Sequence, residues 1–240
     1  MDGQPTNWRD FGVNYLSRTL PIGETLSGLK KLDKQGVQIL YFDSALRFCP
    51  SVPVDYTEDK HHMAKIGLFY GSSTGNTEYV AYEMKAEFDK RDPSLVEVFN
   101  IGSTSIEQFL QFDYLILGIP TWNTGQLQDD WEFFLPKLAG ANMSGKRVAI
   151  FGLGDQNGYG FNFLDAVGML ADEVMKLGAQ LWGLWPTSNY EFEESLAQVE
   201  DHFLSLGVDQ EGQSEKTPAR IAEWVNQVIE EFEVLENQPA

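Results

Sequence analysis

Cysteine is almost missing from this 240-residue chain, with Cys49 the only one. One thiol forms no intramolecular disulfide, and without a neighbouring His cluster it makes neither a zinc site nor a case for thiol catalysis. A reducing setting, cytoplasm or organelle stroma, is expected. Basic residues are also scarce: 17 Lys and Arg stand against 36 Asp and Glu, a net charge of −19. The deficit is lopsided, since residues 1–62 carry −1 and residues 63–240 carry −18. Such a field repels nucleic acid and anionic membrane and draws in basic protein surfaces. No apolar run approaches the roughly 20 residues that span a bilayer. The first thirty residues lack the basic start and continuous apolar stretch of a secretory signal, and residues 1–62 match a transit peptide only weakly.

What is present is enough apolar sequence for one sizeable core, 42% hydrophobic and 13% aromatic. Residues 1–62 mix Gly, Pro and polar residues with short apolar pieces, the best strand candidate being Val37-Gln38-Ile39-Leu40-Tyr41-Phe42. They hold no chemical motif, and Met63 looks like a native start. They are expected to be an extension, loosely attached or disordered, ahead of a domain over 63–240.

From Met63 onward apolar strands alternate with helical segments, the signature of an α/β domain with a parallel sheet. Strands are expected at Lys65–Tyr70, Leu95–Phe99, Tyr114–Ile119, Arg147–Phe151 and Gln180–Trp185. Helices are expected from near Glu78 to Lys90, over Ser105–Leu110, from about Asn162 to Leu177 and over Pro218–Glu233. The polar stretch after Trp185, with the apolar piece Phe203-Leu204-Ser205-Leu206, reads as an insertion interrupting the fifth strand.

Three loops carry the chemistry. After the first strand comes Ser72-Ser73-Thr74-Gly75-Asn76-Thr77, a hydroxyl-rich turn opening a helix. Consecutive backbone N–H groups at a helix start, beside Ser and Thr hydroxyls, suit one phosphate. There is no Lys of a Walker A loop and no G-x-G-x-x-G spacing, although an ordinary capped βα turn has the same sequence taken alone. After the third strand comes Pro120-Thr121-Trp122-Asn123-Thr124-Gly125-Gln126-Leu127, and after the fourth Gly152-Leu153-Gly154-Asp155-Gln156-Asn157-Gly158-Tyr159. Trp122 and Tyr159 taken singly read as packing aromatics. Together, at strand ends beside a phosphate nest, they describe a planar ring held between aromatic faces with a phosphate tail, which is FMN.

These residues resemble the flavodoxins, whose pattern has a Thr-x-Thr-Gly-x-Thr loop, a Pro-Thr-Trp-Asn-x-Gly loop and a Gly-x-Gly-Asp-Gln-x-x-Tyr loop. The resemblance covers essentially Met63 to the C-terminus, and the interrupted fifth strand is similar to the long-chain subgroup. It implies a three-layer, doubly wound, five-stranded parallel sheet of order 2-1-3-4-5 with FMN at the switch point. It also implies that Ser72, Ser73, Thr74, Gly75, Asn76 and Thr77 hold the phosphate. Pro120, Thr121, Trp122, Asn123, Thr124 and Gly125 would flank the ring, with the Asn123-Thr124 peptide toward flavin N5. Leu153, Gly154, Asp155, Tyr159 and Asn162 would complete the site, Tyr159 on the ring and Asp155 and Asn162 near its edge or the ribityl chain. Ser72 stands where the family usually has Thr and keeps the hydroxyl. Leu153 occupies a variable site and can offer only backbone or packing.

The function so implied is a low-potential, one-electron carrier between redox proteins, with basic partners such as a ferredoxin-NADP reductase and a monomeric state. His61, His62 and His202 lie outside the loops, and no acid–base pair is evident, so the chemistry is the cofactor's. An FMN-dependent quinone or NAD(P)H reductase shares the fold but needs substrate room over the flavin. A response regulator would need an acidic pocket after the first strand, where this chain has Gly71-Ser72.

Overall fold

The structure, a computed structural model, describes residues 65–234 together with the backbone of two short strands, Lys30–Leu32 and Gln38–Leu40. The chain divides into two units, Met1–Lys60 and His61–Ala240. In the first, Lys30–Leu32 pairs antiparallel with Gln38–Leu40, within the strand expected at 37–42. The expectation that residues 1–62 are loosely attached lies outside the described residues.

In the second unit, β1 (Ile66–Tyr70), β2 (Val96–Asn100), β3 (Tyr114–Pro120) and β4 (Arg147–Leu153) are all parallel. β1 pairs with β2 on one side and β3 on the other, and β3 pairs with β4, so the order is 2-1-3-4 before the fifth strand joins. The apolar runs decide which strands lie centrally. Every residue of β1 is buried, and β3 is buried from Leu115 to Ile119, as strands covered on both faces require. β2 mixes buried and exposed positions and sits at the sheet edge, with Glu97 turned to solvent.

The fifth strand is split. β5 (Gln180–Trp182) pairs with the first half of β4, Gln180 opposite Arg147. The expected continuation to Trp185 fails at Gly183, which takes φ +71 and turns the chain out of the sheet. Its N–H donates to Glu231 Oε2 at 2.6 Å and its carbonyl accepts from Trp224 Nε1 at 2.8 Å. Trp185 instead opens β6 (Trp185–Pro186), which with β7 (Gln198–Val199) and β8 (His202–Phe203) makes a small antiparallel sheet. The chain then returns as β9 (Leu206–Val208), parallel to the second half of β4, with Val208 opposite Leu153. The insertion is therefore bracketed by two halves of one strand position.

The sheet is the middle of three layers. α1 (Asn76–Asp89) and α5 (Thr217–Phe232) pack on each other, and α4 (Asp165–Lys176) lies over β3 and β4. α2 (Ile106–Leu110) is capped by Ser105, whose hydroxyl accepts from Gln108 N at 3.2 Å. α3 (Asp129–Phe134) buries Trp131 and Phe134. Two helix starts move from their sequence-based positions. α1 begins at Asn76 rather than Glu78, because Gly75 at φ +90 supplies the turn. α4 begins at Asp165 rather than Asn162: Gly160–Asn162 is a 3-10 turn and Leu164 takes φ +62, so regular helix starts only after it.

Candidate functional site

The three loops leave one edge of the sheet. Past the strand ends the backbone pairing continues: Gly71 N donates to Gly118 O at 3.0 Å, Thr121 N to Leu153 O at 2.8 Å and Gly154 N to Val208 O at 3.1 Å. That edge is where the strand order reverses between β1 and β3, the place where open α/β sheets hold ligands. The cleft there measures about 340 Å³. Its walls include Thr74, Asn76 and Thr77 from the first loop, Pro120, Thr121, Trp122 and Asn123 from the second, and Leu153, Gly154, Asp155, Tyr159 and Asn162 from the third.

Ser72, Ser73, Gly75, Thr124 and Gly125 stand in the same loops without lining the cleft, and the first three shape its turn. The Ser72 hydroxyl accepts from Gly75 N at 3.1 Å, closing the turn, and Ser73 Oγ accepts from Gln128 Nε2 at 3.2 Å. α1 then begins with no side-chain cap, so the N–H groups of its first turn are left for another acceptor. Gly71 has no space for a side chain: a Cβ would lie 2.6 Å from Trp131 Cδ1.

The second loop is a closed turn. Trp122 N donates to Gln126 O at 2.9 Å and Gln126 N to Trp122 O at 2.7 Å. Asn123 takes φ +48 and Gly125 φ +88, and a Cβ on Gly125 would lie 2.6 Å from Asp165 Oδ2. Trp122 is half-buried, and its indole Nε1 is buried without a protein partner. Thr121 Oγ1 accepts from Ala166 N at 3.3 Å, tying this loop to the start of α4.

In the third loop Asp155 Oδ1 accepts from Asn157 N at 3.0 Å and Gly158 N at 2.8 Å. That local turn leaves Tyr159 53% exposed at the cleft. Asn162 Nδ2 donates to Asp165 Oδ2 at 2.9 Å. β4 runs on through Leu153, so Gly152 and Leu153 belong to the strand rather than the loop, and Leu153 contributes apolar wall as expected.

Sequence reasoning missed Phe163 and Glu211 in the cleft wall and Gln128 beneath the first loop. Phe163 lies one residue past the expected Asn162, and its burial was legible; Glu211 comes from the loop after β9, with no local signal. Asp155 and Glu211 are the ionisable groups with carboxylates on the wall, and no Lys or Arg lines it. Next to the first loop, burial and then the Glu78 carboxylate, which accepts the Tyr70 hydroxyl at 2.8 Å, push Tyr70 well above the ordinary tyrosine range. His202 pairs with Asp201 in the small sheet, away from the loops.

Anion-ready backbone, an aromatic with an unpartnered indole N–H and an apolar wall fit a flat phosphorylated ring better than a sugar or a metal. Among the described residues no cluster of His, Cys, Asp or Glu is arranged to hold a metal ion, and no helix is long and apolar enough to cross a membrane. A parallel sheet of order 2-1-3-4-5, carrying such a cleft at its switch point, defines a flavodoxin-like α/β domain.

Comparison with known proteins gives the family. The flavodoxin family model matches residues 68–224. The flavodoxin of Picosynechococcus sp. is 45% identical over 170 residues, covering 71% of this chain and 99% of that protein. Flavodoxin 1 of Escherichia coli is 41% identical over 175 residues, covering 72% and 98%. Among solved structures, Fusobacterium nucleatum flavodoxin bound to flavin mononucleotide superposes with a TM-score of 0.65 at 31% identity, covering 69% of this chain and 97% of that one. The chain belongs to the flavodoxin family.

Proposed function

We propose that the domain binds one FMN non-covalently in this cleft and serves as a low-potential, one-electron carrier between redox proteins, not as an enzyme with its own substrate. The observation that carries this reading is the convergence of three loops on one cleft at the switch point, its nest end formed by an uncapped 14-residue helix. When bound, the flavin supplies the redox chemistry, taking up and releasing electrons one at a time.

The residues supply the rest. The first-turn N–H groups of α1 with Thr74, Asn76 and Thr77 hold the phosphate, in a turn kept closed by Ser72, Ser73 and Gly75. Trp122 and Tyr159 cover the ring and exclude water, leaving little room for a second substrate. The Asn123-Thr124 peptide, in a turn with left-handed backbone at Asn123 and Gly125, would flank the ring. Asp155 and Asn162 meet its edge. A cleft walled by Asp155 and Glu211, with no cation, disfavours added negative charge and so keeps the potential low.

Partners in this reading are basic redox proteins such as a ferredoxin-NADP reductase. They are steered by the −18 carried by residues 63–240, so their electron-transfer rates fall as salt rises. The direct test is titration of flavin-free full-length chain with FMN. Stoichiometric uptake at one per chain with quenched flavin fluorescence is expected, and failure to bind would overturn the reading.

A further inference from the structure

A buried polar cluster lies between the cleft and the insertion, and it meets the cleft wall through the backbone of Glu211. Its centre is Asp209, which follows β9 and has no solvent exposure. Oδ2 accepts from Gln156 Nε2 at 2.7 Å and Gln156 N at 3.4 Å, while Oδ1 accepts from Glu211 N at 3.1 Å and Gly212 N at 2.7 Å. The Gln156 side chain is 2% exposed, and its Oε1 accepts from Glu191 N at 2.6 Å, inside the insertion. Packing is close, since a Cβ on Gly212 would lie 2.6 Å from Asn157 Nδ2 and 2.8 Å from Asp209 Oδ2.

One carboxylate thus holds the backbone of two loops. The first is 155–159, which brings Asp155 and Tyr159 to the cleft, and the second is 210–212, which brings Glu211. All four of these donors are amide N–H groups. A buried charge is tolerable only when its lone pairs are filled, and the same requirement fixes every donor that fills them. The Gln156 amide has one satisfying orientation, donating to Asp209 and accepting from Glu191, and so links the insertion to the third loop.

We infer that Asp209 is a positioning residue for the cofactor: through Gln156 and the 210–212 backbone it sets where Tyr159, Asp155 and Glu211 stand around the ring. The inference rests on reading the cleft as an FMN site. Asp209→Asn keeps the shape but turns an NH2 group toward one pair of donors, releasing one loop. Gln156→Ala removes the link from the other side.

Three properties of the full-length chain are compared with a remote control, Phe232→Leu, which loosens the far end of the sheet where the Phe232 ring packs at a tilt against Tyr114. They are FMN affinity, the visible circular dichroism of bound flavin, and amide hydrogen exchange at Gly158 and Tyr159 in the flavin-free protein. Asp209→Asn should weaken FMN by roughly tenfold or more, alter the flavin dichroism and speed exchange at both amides. Phe232→Leu, at an equal loss of melting temperature, should do none of these. Gln156→Ala should reproduce the pattern, and the double variant should be no worse than either single. Should Asp209→Asn not fold, Gln156→Ala alone carries the test. Unchanged dichroism and exchange in either folded variant, or additive losses in the double, would overturn the assignment. If the wild type takes up no FMN, the functional reading falls, and the exchange rates still decide whether Asp209 holds the loop.

Discussion

The loop after β1 and the loop after β4 do similar work by different means. The first closes on itself, Ser72 accepting from Gly75 N three residues on, and is backed by α3, where Gly71 lies against Trp131 and Ser73 Oγ accepts from Gln128 Nε2 across 55 residues. The second is held from the insertion and from the residues just after β9. Gln156 reaches Asp209 across 53 residues and Glu191 across 35, and Gly160 O accepts from Glu193 N and Glu194 N, both at 3.0 Å. Phe163, just beyond it, packs in an aromatic cluster with Tyr190, Phe192 and Phe203 of the insertion. The first-loop end of the cleft is thus held by its own turn and by α3, whereas the third-loop end borrows its rigidity from the insertion.

The largest effect should come from breaking the seat of the first loop on α3. Gly71→Val drives a branched side chain into Trp131 and the Gln128 amide, and should cost about 3 kcal/mol of stability by overpacking. Urea unfolding of the flavin-free chain measures it. Next, Trp122→Ala removes an aromatic from the cleft wall, outside the first loop, and should weaken FMN binding by about 2 kcal/mol. Fluorescence titration reads this directly, and an unchanged affinity would remove Trp122 from the site.

A smaller change sharpens the contrast. Ser72→Ala deletes the acceptor of Gly75 N–H and should weaken FMN by about 1 kcal/mol, while Ser72→Thr, which keeps the hydroxyl, should bind like the wild type. The smallest effect is invisible near neutrality. Tyr70 beside the nest and Tyr190 in the insertion both have hydroxyls raised above the ordinary tyrosine value, each mainly by burial. Unfolded tyrosine titrates near ~10. Both folded groups therefore contribute their full stability below that pH and lose it as pH rises toward their folded values. Stability of the wild type should fall above roughly pH 10, and Tyr190→Phe should flatten part of that fall, although it also loses the 2.6 Å bond from the Tyr190 hydroxyl to Gly207 O.

The same contrast explains what the sequence made legible. The strand order and the nest follow from contiguous patterns: apolar runs buried on both faces, and a Gly that permits a left-handed turn directly before a helix. Trp122 and Tyr159 were visible for the same reason, as aromatics in polar, Gly-containing loops at strand ends. The break in the fifth strand was visible as a polar insertion. Its position was not, because the turn at Gly183 depends on Trp224 and Glu231, both contributed by α5. Glu211, Gln128 and Asp209 were missed for a related reason. Gln128 and Asp209 act on loops far away in the chain, Glu211 reaches the cleft from the loop after β9, and nothing in the residues beside them marks that reach. Leu164, a non-glycine at φ +62, likewise delayed α4 in a way no local preference announces.

The most direct question is whether the FMN-loaded chain takes up electrons singly at low potential. Spectroelectrochemical titration of the full-length, FMN-loaded protein, followed by addition of NADPH without a reductase, measures both properties in one sample. Two separated one-electron steps are predicted, the second strongly negative, with no direct oxidation of NADPH. A single two-electron step at positive potential, with turnover of NADPH by the chain alone, would contradict it.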